Sequence, residues 1–214
     1  AGPDATYSHE GTVNGAGAAI DWLRGRIALD VDRALVSLPA GEPSSPPPLF
    51  MNGVGGLGAP FWRADFPVEF VGRGDEMAQL VAVLESIAFL LTVNLETMQR
   101  AAPLLRVSIT GGLSSCDYLC RVLADTSGLV VERYALREAT ARGAAFLAAG
   151  EPDDWQLAPV EQSWNAREEP PLELGVVGDK EFRLIHRPLH RGPVDHPPLR
   201  QLGRDRGQRG HARG

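Results

Sequence analysis

The longest apolar rhythm in the chain runs from Asp75 to Arg100, where Met77, Leu80, Val81, Leu84, Ile87, Ala88 and Leu91 recur at three- and four-residue spacing. That period lays a stripe along an α-helix. Asp75 and Glu76 suit its positive N-terminal end, and Pro103 stands just beyond its other end. Downstream the rhythm alternates. Leu105 to Thr110 predicts a strand, Ser114 to Thr126 a helix, Leu129 to Tyr134 a strand, and Glu138 to Ala149 a helix closed by Gly150. Such strand–helix alternation with short connections predicts an α/β layered domain. Upstream, Thr6 to Leu23 begins as a strand and continues into a Gly/Ala-rich helix, and Asp30 to Leu38 reads as a short amphipathic helix. Pro39 to Pro48 is a Pro/Ser linker, and Leu49 to Met51 is a brief strand entering the glycine run Gly53 to Gly58. From Glu151 the chain turns Pro-rich and acidic, with Trp155 and Trp164 as docking anchors, and no internal repeat is visible.

Composition narrows the class. With 214 residues the chain can bury a real core, as one large domain or two small ones. Leu80 to Val93, broken by Glu85 and Ser86, is too short and polar to span a bilayer, and no secretory leader opens the chain. The first residue is not Met, so a fragment or processed product is expected. Cys116 and Cys120 are too few for a disulfide framework, which places the chain among reduced, cytoplasmic proteins. No His or acidic partner has ligand spacing to the pair, so they read as buried thiols on one helix face, and no metal ligand is assigned. Residues 187–214 carry seven Arg against Asp195 and Asp205. A nucleic-acid arm is one reading of that stretch; a solvated, disordered tail is the preferred one, because it lacks apolar periodicity.

Three segments carry candidate chemistry. Gly53-Val54-Gly55-Gly56-Leu57-Gly58 matches the G-x-G-x-x-G spacing on which an NAD-dependent oxidoreductase reading would rest. Such a loop leads straight into a helix. Here Ala59-Pro60-Phe61-Trp62 follows, so the run reads instead as a tight turn beneath a buried Trp. Gly111-Gly112 has different surroundings: Thr110 ends a strand, and Ser114 with Asp117 has capping-box spacing at a helix start. A helix N-terminus offers free N–H groups to an anion, though a plain turn needing a left-handed glycine explains the pair equally. In the third segment, Glu138 opens a small-residue helix whose Gly143 suits close packing.

Taken in order, five segments resemble the C-terminal domain of the FGGY carbohydrate kinase family, which includes glycerol kinase and xylulokinase. They are Glu10-Gly11 with Gly17-Ala18-Ala19-Ile20-Asp21-Trp22-Leu23, Gly56-Leu57-Gly58-Ala59-Pro60-Phe61-Trp62, Leu84-Glu85-Ser86-Ile87-Ala88-Phe89, Thr110-Gly111-Gly112, and Glu138-Ala139-Thr140-Ala141-Arg142-Gly143-Ala144-Ala145. The resemblance covers roughly Tyr7 to Gly150 and fades after Phe182. It implies an actin-like, ribonuclease-H-like α/β fold with a mixed sheet flanked by helices. It divides the chain into a partial nucleotide-binding domain at 1–156, a peripheral segment at 157–186 and the basic tail at 187–214.

The activity implied is transfer of the ATP γ-phosphate to a sugar or polyol, with Mg2+ in the intact enzyme. No nucleic-acid or membrane partner is expected, and a homo-oligomer is allowed. Gly17, Asp21, Gly111, Gly112 and Cys116 match the adenine-nucleotide wall. At two of these the family typically carries Gln and Asn, and this chain carries Asp21 and Cys116. No catalytic residue is assigned, because the family's catalytic aspartate and sugar-binding domain lie upstream of the matching segment. This chain alone is therefore expected to be inactive. The alternative is a non-catalytic nucleotide-binding or interaction module, or a truncated remnant.

Overall fold

The computed structural model describes residues 8–40 and 46–168, together with two further strands. In chain order the elements are α1 (Gly17–Arg24), α2 (Val31–Ser37), β1 (Leu49–Asn52), β2 (Val68–Val71), α3 (Glu76–Gln99), β3 (Arg106–Ile109), a 3-10 turn (Gly112–Ser115), α4 (Asp117–Ser127), β4 (Val130–Tyr134), α5 (Ala139–Ala148), β5 (Val160–Trp164), β6 (Glu173–Val176) and β7 (Arg183–His186). The basic tail at 187–214 and part of the Pro/Ser linker lie outside the described residues.

α3 organises the rest. Its 24 residues span roughly 36 Å at 1.5 Å per residue. Asp75 caps it, its carboxylate accepting from the Ala78 amide at 2.8 Å. Leu80, Val81, Val83, Leu84, Ile87 and Ala88 are all buried. Burial thus runs around the helix from Leu80 to Ala88, more than the single stripe its spacing predicts. The helix is also longer than the apolar stretch that defines it, and by length and composition alone it could cross a membrane. Two thirds of its most apolar window is packed inside the protein, as in a core helix. α1, α4 and β1 pack directly against it. Trp22 of α1 meets Phe50 and Phe70 at ring-centroid distances of 5.2 and 6.0 Å, which fastens α1 to the antiparallel β1–β2 pair.

The second layer is a three-stranded sheet in the order β3-β4-β5. β3 and β4 run parallel, joined over one face by α4, and β5 returns antiparallel, so the sheet is mixed as expected. β5 was not foreseen, nor was β2: both are short, and their pairing partners lie far away in sequence. Trp164, at the end of β5, is 2% exposed and does anchor the segment after Glu151 to the core. β6 and β7 form a separate antiparallel pair.

Two expectations need correction. Residues 8–13 contain no strand, because that stretch instead runs close beneath the glycine turn at 53–58. Trp62 is 72% exposed, not buried: the space inside the turn is taken by Leu57 and by backbone packed against its glycines. α5 has no buried residue, and Leu147 on it is 64% exposed.

Candidate functional site

β3 delivers the chain into Gly111, whose φ of 87° and ψ of −178° lie in a region essentially restricted to glycine. The predicted helix from Ser114 does not begin there. Gly112–Ser115 coils as a 3-10 turn, Cys116 takes an extended conformation, and α4 starts at Asp117. The capping box is consequently not formed. Ser114 Oγ donates back to the Gly111 carbonyl at 2.6 Å, Ser115 Oγ to the Gly112 carbonyl at 2.7 Å, and Asp117 is bound by Arg133. The Gly111 amide donates to the Arg137 carbonyl at 3.1 Å, which ties the turn to the segment leaving β4. The amides of Gly112 and Leu113 have no acceptor among the described residues. They are the free donors that an anion or a polar base edge would use.

The glycines differ in what surrounds them. A Cβ on Gly53 would stand 2.0 Å from the Phe66 carbonyl, and one on Gly58 would stand 2.2 Å from the Thr12 carbonyl. Gly15 would meet Asn52 Oδ1 at 2.2 Å. Gly53 and Gly58 leave room for backbone packed on backbone, and Gly15 leaves room for the Asn52 side chain. No helix follows the 53–58 run, which removes the oxidoreductase reading. At Gly17, Gly111, Gly112 and Gly143, by contrast, a Cβ would meet nothing within 4 Å. Their bare backbone faces open space.

α2 and α3 are capped by the side chains of Asp30 and Asp75. α1, the 3-10 turn, the core helix α4 and α5 begin without any side-chain cap. Gly17 opens α1 on the surface, and one turn later Asp21 is exposed and paired with Arg24, which also donates to Asp32 at 2.7 Å. The Arg24 guanidinium is held above its usual range by the hydrogen bond to Asp32, with Asp21 adding to it. α2 packs on the 3-10 turn, so the α1–α2 segment and the glycine pair belong to one side of the domain.

Cys116 stands differently from the other four predicted residues. Its side chain is fully buried, as is that of Cys120, and both thiols are free. Burial pushes the Cys116 thiol up and the Cys120 thiol up to about 12. The expectation of two buried thiols holds, and the Cys116 side chain presents no surface to a ligand.

α5 faces Thr110, just past β3, across a cleft of about 810 Å³ at the carboxyl ends of β3 and β4. Thr110, Tyr134, Leu136, Ala139, Gly143 and Trp155 line it. Ligands of open α/β sheets bind at this end of parallel strands. Trp155, the second predicted anchor, meets Phe146 in a tilted contact at 5.5 Å and lies under Arg142 at 4.7 Å, fixing the far wall.

The pattern that defines the C-terminal domain of the FGGY family of carbohydrate kinases matches residues 3–150. The chain belongs to this family. Among its relatives, glycerol kinase of Leptothrix cholodnii is 37% identical over 157 residues, 69% of this chain and 32% of that protein. Glycerol kinase of Thermococcus gammatolerans is 32% identical over 190 residues, 85% of this chain and 37% of that protein. The chain thus spans about a third of the length of the curated relatives it matches. Solved structures that share the fold include two kinases. Plasmodium falciparum glycerol kinase with ADP has a TM-score of 0.57 at 21% identity, covering 71% of this chain and 33% of that one. Ligand-bound xylulose kinase of Lactobacillus acidophilus has a TM-score of 0.56 at 22% identity, covering 73% and 35%. The fold class expected from the sequence, an actin-like α/β domain with a mixed sheet, is the one this family has.

Arg133 is the residue near the turn that sequence reasoning missed. The available signal was a cation inside the strand pattern Val130-Val131-Glu132-Arg133-Tyr134.

Proposed function

We propose that this chain forms the nucleotide side of the cleft in an ATP-dependent sugar or polyol kinase. The carrying observation is that Gly112 combines a free amide, an exposed position and open space where a side chain would stand. Gly17, Asp21 and Gly111 contribute to the same wall, and Cys116 contributes through the shape of the backbone at the start of α4. In this reading the acceptor hydroxyl attacks the γ-phosphorus, the bond to the bridging oxygen breaks, and ADP leaves. What the chain supplies is binding and orientation, which carry most of the catalysis in phosphoryl transfer. Asp21 and Asp117, the carboxylates closest in sequence to the glycine motifs, are engaged by Arg24 and Arg133, so neither is placed to act as a base. Among the described residues no three His, Cys, Asp or Glu side chains group to hold a metal, and no step here runs through Mg2+. A cytoplasmic location accords with ATP as donor and with two free thiols.

Isothermal calorimetry with ADP, paired with a turnover assay on glycerol and xylulose, tests the reading. Expected are saturable ADP binding and no turnover by this chain alone. Absence of ADP binding at millimolar concentrations would overturn the nucleotide wall, and rapid phosphorylation would overturn the assignment of binding without chemistry.

A further inference from the structure

One guanidinium holds the glycine turn from below. Arg133 sits on β4 with its side chain 12% exposed. Its Nη1 donates to the Ser114 carbonyl at 3.1 Å and to Asp117 Oδ1 at 2.7 Å, and its Nη2 donates to Gln162 Oε1 at 2.8 Å. Nε lies 3.5 Å from Glu161 Oε2, and the guanidinium lies 5.1 Å from the ring centre of buried Trp164. The fork therefore joins the 3-10 turn, the first residue of α4, and β5.

The Ser114 carbonyl needs such a partner. Cys116 is extended, so the first helical bond of α4 runs from the Cys120 amide to the Cys116 carbonyl, and the carbonyl of Ser114 falls outside the ladder. Among the described residues, besides Arg133, only the weak Cys120 thiol donor reaches it, at 3.5 Å. Burial works against the charge on Arg133, and the hydrogen bond and charge of Asp117, with Glu161 beyond, more than offset it.

We propose that Arg133 is a positioning residue for nucleotide binding: by clamping the Ser114 carbonyl and Asp117 together, it sets the direction of the free Gly112 and Leu113 amides. This inference rests on the nucleotide-wall reading above. Lys could not replace it, because one ammonium cannot serve the turn and Gln162 from two separated nitrogens.

The test uses the full chain with Arg133→Met, Arg133→Lys, Asp117→Asn, Gly112→Ala and the Arg133→Met/Gly112→Ala pair. Hydrogen exchange over residues 111–117 and ADP calorimetry are the readouts. Arg133→Met and Arg133→Lys should speed exchange in that segment while leaving α3 protected, and should weaken ADP about tenfold, the equivalent of one charged hydrogen bond. Asp117→Asn, which leaves the Ser114 and Gln162 contacts in place, should give a smaller loss. If Arg133 acts through the turn, the pair loses less than the product of the single effects; a merely stabilising residue would give multiplicative losses. Unchanged exchange over 111–117, ADP affinity within twofold of the parent, or full multiplicativity each overturns the proposal. Should the parent chain bind no ADP, the nucleotide-wall reading and the role in binding fall together, and the exchange result alone decides whether Arg133 holds the turn.

Discussion

Adjacent glycines with opposite tolerances give a sharp prediction. Alanine at Gly112 meets no atom within 4 Å, and its backbone is not in the left-handed region. By sterics alone Gly112→Ala should leave stability within about 0.5 kcal/mol of the parent, as for an ordinary surface change. Alanine at Gly111 also meets no atom, but φ of 87° with ψ near 180° forces a strained backbone worth about 1–3 kcal/mol. In a domain of this size that corresponds to a fall in Tm of roughly 2–12 °C. Binding should rank the other way for Gly112. Its methyl would fill the space through which a ligand reaches the Gly112 and Leu113 amides, so ADP affinity should drop at least about tenfold, the loss of one good hydrogen bond. Thermal melts and urea titrations read the first quantity, and calorimetry reads the second. Gly112→Ala with the Tm lowered by 5 °C or more, or with unchanged ADP affinity, would refute the argument.

Three further outcomes follow from the same geometry. Gly53→Ala places a methyl 2.0 Å from the Phe66 carbonyl and should cost about 1–3 kcal/mol of overpacking by urea titration, while ADP binding below the transition stays intact. Asp125→Ala removes a fully buried carboxylate bonded to Arg167 at 2.6 and 2.9 Å; about 2–3 kcal/mol should be lost, with proteolysis of the segment just after β5 accelerated. The Cys116 and Cys120 thiols ionise later in the folded chain than in the unfolded one, so stability is retained below about pH 8.5 and falls as pH rises toward 12. At pH 8 a thiol reagent should label neither cysteine until denaturant is added, and rapid labelling of the native chain would contradict their burial.

Legibility in the sequence followed the range of the interactions. α3 could be read almost to the residue, because its cap at Asp75 and its apolar period are both local signals. β3, β4 and α5 were also legible, since each is an apolar or small-residue run bounded by Gly or Pro. The 3-10 turn was not. Ser114 and Asp117 carry the spacing of a capping box, but Arg133 and Arg137, about twenty residues away, supply the contacts that decide the local geometry. β5 was missed for a similar reason, since its register depends on pairing with β4 and on burying Trp164. Of the five predicted wall residues, Gly17, Gly111 and Gly112 present bare backbone and Asp21 an exposed carboxylate, whereas the Cys116 side chain faces the core. Spacing alone marks a position in a motif; which way its side chain faces depends on packing from both sides.

A nucleotide received by the backbone at Gly112 must perturb the amides there. Titrating the isotope-labelled chain with ADP while following individual backbone amide resonances tests it most directly. Expected are saturable shifts led by Gly112 and Leu113, followed by Gly17 and its neighbours at the start of α1, with the packing glycines Gly53 and Gly58 unmoved. Saturating ADP that leaves the Gly112 and Leu113 resonances in place, or shifts confined to other parts of the domain, would contradict it.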